Sequence, residues 1–169
     1  LHFGHHGILR HCRYTRAFNN VEDMDAAIVR RINERVEKSD ILYIIGDFAM
    51  CADNEYVRHL FHEIRGRKIL VLGNHDLDNK GRMSKTIRDL PWDVPPTHAL
   101  ETTDQGCDIY LHHYGCRVWP GHRRGSYHLF GHSHGNLEPL GRSRDIGIDC
   151  FDTNFAPMTF AEIRETLDV

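Results

Sequence analysis

The sequence predicts a layered α/β protein, and three observations predict it. Helical stretches and short apolar runs alternate through the first half of the chain. Further runs of strand length crowd the second half, and polar clusters containing glycine follow the apolar runs directly. In open α/β sheets ligands gather at the carboxyl ends of the strands, which is where these polar clusters fall.

The first helix is predicted from Val21 to Lys38. Asn20 can cap it, Glu22, Asp23 and Asp25 lie in its first turn, and Met24, Ile28, Ile32 and Val36 recur every four residues. Ile41 to Ile45 is a short, continuous, β-branched run, so it is predicted as a buried strand delivering Gly46-Asp47. A second helix fits Asn54 to Ile64, with Val57, Leu60, Phe61 and Ile64 on one face and Gly66 just beyond. Lys68 to Leu72 is a second buried strand, leading into Gly73-Asn74-His75-Asp76. Asp78 to Arg88 is predicted as a loop and a short helix, after which Pro91, Pro95 and Pro96 interrupt regular structure. Further strands are expected at Ile109 to His112, His128 to Phe130 and Asp145 to Ile148. Thr159 caps a last helix carrying Phe160, Ile163 and Leu167.

A chain of 169 residues suits one domain, and 40% hydrophobic with 27% charged residues is an ordinary soluble, globular balance. No apolar run reaches membrane-spanning length, and the N-terminus has neither signal-peptide nor transit-peptide composition, so a cytoplasmic protein with no membrane partner is expected. The net charge of −3, without a long basic run, disfavours a dedicated nucleic-acid-binding module but leaves open an enzyme acting on a nucleotide. Cys12, Cys51, Cys107, Cys116 and Cys150 are odd in number and form no C-x-x-C pair, which fits neither a disulfide framework nor a cysteine zinc site. Each is expected to be a small buried apolar residue.

The composition is unusual in histidine, with fourteen among 169 residues. Histidine is the commonest metal ligand and the usual proton-transfer group near neutral pH. Five clusters concentrate the polar chemistry: His2-Phe3-Gly4-His5, Gly46-Asp47, Gly73-Asn74-His75-Asp76, His112-His113-Tyr114 and Gly131-His132-Ser133-His134-Gly135. Their donors are nitrogen and oxygen with no thiolate, which suits Mn2+, Fe or Zn2+, with Ni2+ also compatible. His132 and His134 are expected to point the same way, on the period of two of a strand. His6, His11, His59, His62, His98 and His128 read as structural or surface histidines. Asp145 and Asp149 read as structural, Asp76 as an acceptor that orients a neighbouring ligand, and Trp119 as a loop anchor.

The order of these clusters resembles the series D-x-H, G-D, G-N-H-D/E, H, G-H-x-H of the calcineurin-like metallophosphoesterases, in particular the small bacterial and phage members. The resemblance runs from His2-Phe3-Gly4-His5 to Gly147-Ile148-Asp149. It implies a single domain built as a four-layer sandwich, two mixed sheets packed together with helices outside. It implies one divalent metal ion on His2 and His134, a second on Asn74, His113 and His132, and Asp47 bridging the two. His113 is preferred to His112 because it precedes Tyr114 as the family's ligand does. By the same analogy His75 assists the leaving group as the catalytic residue. His5 is expected near substrate, and Arg117 is chosen over Arg123 and Arg124 as a phosphate contact because it stands nearest His113.

The activity implied is hydrolysis of a small phosphomonoester or phosphodiester, a nucleotide among the candidates, by a hydroxide bridging two metal ions. The family's first ligand, the aspartate of D-x-H, falls immediately before Leu1, so a first strand ending in that aspartate is expected to precede the sequence. Two other classes compete. A nuclease with the same metal chemistry would cleave labelled oligonucleotides, and a scaffold without catalysis would bind no metal.

Overall fold

The computed structural model describes residues 1–167. The elements in chain order are α1 (Ile8–His11), α2 (Val21–Asn33), β1 (Ile41–Ile45), α3 (Asn54–Glu63), β2 (Arg67–Val71), α4 (Lys85–Arg88), β3 (Ala99–Asp104), β4 (Cys107–His112), β5 (Tyr127–Phe130), β6 (Ser143–Asp145) and α5 (Phe160–Glu165). They form a mixed α/β fold of two small sheets flanked by helices. β1 and β2 pair in parallel from Ile41↔Arg67 to Ile45↔Val71. The second sheet has the order β3-β4-β5-β6, with β3 and β4 an antiparallel hairpin and the remaining pairs parallel.

Local chemistry accounts for most of these elements. The Asn20 side chain accepts the Asp23 N–H at 2.7 Å and starts α2, and Asp53 does the same for α3 through Glu55 and Tyr56. Thr159 and Glu162 form a reciprocal capping box at the head of α5. Along β1 the alternation of side chains sorts the core. Leu42 and Ile44 join Ile28, Ile32, Leu60 and Phe61 of the helices, whereas Tyr43 and Ile45 pack with Ile109, Leu111 and Leu129 of the second sheet. Each such side chain, fully buried, contributes about 1.5–3 kcal/mol. On the far face of the second sheet Trp119 is buried, lies 5.4 Å from the His128 ring and donates its indole N–H to Ser126, so it anchors its loop.

Several expectations are corrected. The first helix ends at Asn33, not Lys38, because the Asn33 side chain leaves the helix to bond Glu63 O and Arg65 N. The first sheet is purely parallel rather than mixed. β3 was not legible, since Ala99–Asp104 carries little apolar pattern and is held by its hairpin partner. β6 occupies Ser143–Asp145 instead of Asp145 to Ile148, because the Asp145 carboxylate accepts the Gly135 and Gly147 N–H groups and turns the chain there. Of the five cysteines, all free thiols, Cys150 is buried and the other four are half-buried. Among the described residues no helix is long and apolar enough to cross a membrane.

Candidate metal centre

The turns leaving β1 and β2 meet face to face, and two glycines permit it. A Cβ on Gly73 would collide with the Asp47 carboxylate and main chain, and one on Gly46, at φ +84°, with the His113 ring. The buried Asp76 carboxylate fastens the two turns together. It accepts the N–H groups of Asp47 at 2.8 Å, Phe48 at 2.9 Å and Gly73 at 2.8 Å. Burial outweighs these bonds and raises its pKa to about 6. The expectation that Asp76 orients rather than ligates agrees with this geometry.

The chain at Leu1–Phe3 lies alongside the exit of β1. His2 N–H donates to Asp47 O at 2.7 Å, Phe3 N–H to Phe48 O at 3.0 Å, and Phe3 and Ala49 form a parallel bridge. Of the seven described residues other than glycine with positive φ, four are His2, Asp47, His132 and His134. Backbone strain of this kind costs about 1–3 kcal/mol per residue and gathers at functional sites.

The side chains converge on the Asp47 carboxylate. Its Oδ1 is engaged by the His75 N–H at 2.8 Å, which leaves Oδ2 facing His2 Nε2 at 3.5 Å and His113 Nε2 at 3.3 Å. His113 Nε2 also stands 3.2 Å from Asn74 Oδ1, while its Nδ1–H donates to Ile45 O at 2.9 Å. That bond fixes the tautomer and aims the Nε2 lone pair at two oxygens. Lone pairs facing each other in this way require either a proton or a cation between them. His132 lies 5.1 Å from His113 and His134 lies 5.1 Å from His2, ring to ring.

Donor atoms of Asp47, His113 and His132 all lie within 4.8 Å of one another, and so do those of His2, Asp47 and His75. Two adjoining groups thus share Asp47, and each could hold a metal ion; His75 stands in the group of His2 and Asp47 where the resemblance implies His134, whose own donors group instead with Cys12 and Asp149. His132 and His134 converge from left-handed turns beyond β5, not by strand alternation as the sequence suggested.

Electrostatics follow from burial and from Asp47. Burial holds the His2 imidazole far below its usual pKa, toward the neutral form that a metal ligand needs. Burial opposes the charge on Asp47, but the His113 hydrogen bond and charge overcome it and hold the carboxyl below the usual range. The same pairing raises His113 against the effect of burial. Burial, then the charge of His113, lowers His132.

Two residues of the site were missed. The Asp149 carboxylate, buried, accepts the His134 ring N–H at 2.8 Å and the Arg16 Nε–H at 2.8 Å, a carboxylate–histidine arrangement that directs the other ring nitrogen outward. Burial opposes its charge, yet His134 and Arg16 hold its pKa below the usual carboxylate range. Arg16 is 1% exposed and also donates to Leu1 O at 2.8 Å, so it braces the segment carrying His2. Asp149 therefore does more than shape a turn. The spacing Asp145-x-Gly147-x-Asp149 was its only signal, and Arg16 had none.

His5 is brought in, with its Nδ1 at 3.4 Å from His2 Nδ1 and its ring 5.4 Å from that of His75. Arg117 is not: its side chain is exposed and has no hydrogen bond or ion pair among the described residues. His128 is buried and structural, accepting the Cys116 N–H at 2.9 Å.

No protein-family model matches the chain. Over 76 residues it is 33% identical to an uncharacterized protein of Methanocaldococcus jannaschii, a stretch covering 44% of this chain and 42% of that relative's length. In three dimensions it is similar to the crystal structure of a protein of unknown function from Aquifex aeolicus, with a TM-score of 0.70 over 98% of this chain and 95% of that one. At 21% identity this is a likeness of fold alone.

Proposed function

We propose that this chain is a phosphoesterase dependent on two divalent metal ions, of the calcineurin-like metallophosphoesterase type that its motifs resemble, and that it hydrolyses a small phosphomonoester or phosphodiester. The observation that carries this reading is the shared Asp47 carboxylate, with histidine donors of two groups meeting on one side chain. Two cations so held would supply an activated water near neutral pH and the positive charge that phosphoryl transfer requires. Mn2+ is the first choice, with Fe, Zn2+ and Ni2+ as alternatives.

The roles of the protein groups follow from their bonds. His2, Asn74, His113, His132 and His134 bind, with Asp47 between them. The Ile45 carbonyl and the Asp149 carboxylate set the tautomers of His113 and His134. The His75 N–H holds Asp47 Oδ1, and its half-buried ring, 5.3 Å from that of His2, stands at the rim where it can donate a proton to the leaving oxygen. His132 is exposed, so the cluster is open to an arriving phosphate.

The test is metal analysis of the purified chain with assays on bis(p-nitrophenyl) phosphate and p-nitrophenyl phosphate in Mn2+, Zn2+, Ni2+ and Mg2+. The Asp47→Asn variant is expected to lose both bound metal and turnover. A protein that retains no metal, and no rate above the metal-only control with any of the four ions, overturns the proposal.

A further inference from the structure

An open cavity of about 250 Å³ adjoins His75, and residues 49–52, Ser84 and Thr86 complete its lining. Both sides are fastened to the turns that carry the histidine cluster. Met50 N–H donates to Phe3 O at 2.9 Å, next to His2, and Ser84 N–H donates to Asp76 O at 2.9 Å, next to His75. The Thr86 hydroxyl bonds Asn54 Oδ1, which ties α4 to the head of α3.

The lining is apolar and uncharged. Ala49, Met50 and Ala52 supply apolar surface, and Met50, 46% exposed, is an adaptable wall. No aspartate, glutamate, lysine or arginine lines the cavity among the described residues. Ser84 Oγ accepts the Ile87 N–H at 3.4 Å, and its own O–H is left to meet an oxygen of a ligand. A few polar groups on an apolar wall are the usual make-up of a small-molecule site. A charged group lodged here would give up water and gain no partner, which disfavours a further phosphate and an ammonium alike. The volume is that of about eight waters at about 30 Å³ each, enough for an aryl ring and not for a whole nucleoside.

We infer that this cavity receives the alcohol half of the substrate, and that the substrate is the phosphate ester of a small neutral alcohol, aryl or short alkyl in body. The inference rests on the phosphoesterase reading and deepens it. His75 belongs to both cavity and cluster, so an ester whose alcohol sits here brings its bridging oxygen to that ring. As the oxygen of water bonds to phosphorus, the bond from phosphorus to the alcohol oxygen breaks. The alcohol takes the His75 proton, and a proton of the water replaces it.

The first measurement needs no turnover. Benzyl alcohol titrated into the isotope-labelled chain is expected to move the amide resonances of Cys51, Ala52, Ser84 and Thr86 saturably, whereas ethanolamine and acetate leave them in place. Ala52→Trp, at an exposed position of the wall, should abolish those shifts. It should also lower kcat/KM for bis(p-nitrophenyl) phosphate or p-nitrophenyl phosphate by about tenfold or more, with metal affinity by calorimetry unchanged. Ala52→Ser should match the wild type throughout. Should Ala52→Trp also lose metal, the wild-type titration decides alone. Turnover by the wild type without saturable shifts overturns this inference and leaves the phosphoesterase reading intact, as does an equal response to ethanolamine or acetate. Unchanged kcat/KM in a metal-binding Ala52→Trp overturns it too. Shifts with benzyl alcohol but no turnover of either ester mark instead the failure of the phosphoesterase reading, and the leaving-group role falls with it.

Discussion

Replacing Asp149 with asparagine separates support of a ligand from support of the fold. The carboxylate is the meeting point of two buried contacts, Arg16 Nε at 2.8 Å and His134 Nδ1 at 2.8 Å, with Arg16 and Asp149 side chains only 1% and 2% exposed. Removing the charge strands a guanidinium in the interior. The penalty for an uncompensated buried charge is about 3–5 kcal/mol. Arg16 keeps its bond to Leu1 O at 2.8 Å, which argues for the lower end, about 3 kcal/mol. Urea unfolding monitored by circular dichroism measures this loss.

His134 meanwhile loses the carboxylate that fixes its ring, for which metal affinity is expected to fall about 10–100-fold by calorimetric titration with Mn2+ or Zn2+. The double variant Arg16→Met with Asp149→Asn removes the stranded charge, so most of the stability should return while the metal affinity does not. An Asp149→Asn stability loss below about 1 kcal/mol, in the range of ordinary substitutions, refutes this reasoning. A double variant that regains full metal affinity refutes it equally.

Three further outcomes are expected. Gly73→Ala drives a methyl group into the Asp47 carboxylate, so metal titration should show binding lost, with about 1–3 kcal/mol of destabilisation from overpacking. Burial raises the pKa of Asp25 from 3.8 to about 6, and its Oδ1 is buried without a hydrogen-bond partner. Because the folded value lies above the unfolded one, the folded state holds the proton more tightly. The contribution of Asp25 is therefore greatest at low pH and is lost as pH rises through 6, by at most about 3 kcal/mol. Urea midpoints at pH 4 and pH 7.5 should show wild type losing ground to Asp25→Asn at the higher pH, and a constant difference would refute the assignment. Finally, Mn2+ or Zn2+ at about 100 times its dissociation constant should stabilise the fold by about 2.7 kcal/mol, read as a thermal midpoint that rises with metal and returns with chelator. Asp47→Asn should abolish that rise.

Much of the framework was legible because it is encoded over short distances. Asn20 and Thr159 cap their helices through residues three positions away, and the period-two burial of β1 follows from its own side chains. The glycine-flanked clusters stand beside the predicted strand ends, as His2, Asp47, Asn74, His113, His132 and His134 do in the structure. The unread parts share one physical character. The end of α2 depends on Asn33 bonding to Glu63 and Arg65, some thirty residues on, and β3 depends on its hairpin rather than on apolar content.

What the sequence determined by itself was therefore a layered α/β chain and the chemistry of its donors, since residue type and local periodicity suffice for both. Only the tertiary structure decided which groups aim those donors. Arg16 and Asp149 lie 133 residues apart in the chain, and the Ile45 carbonyl meets His113 across 68. A tautomer or a buried charge is fixed by whichever group folding brings within about 3 Å, and no local pattern of side chains records that encounter.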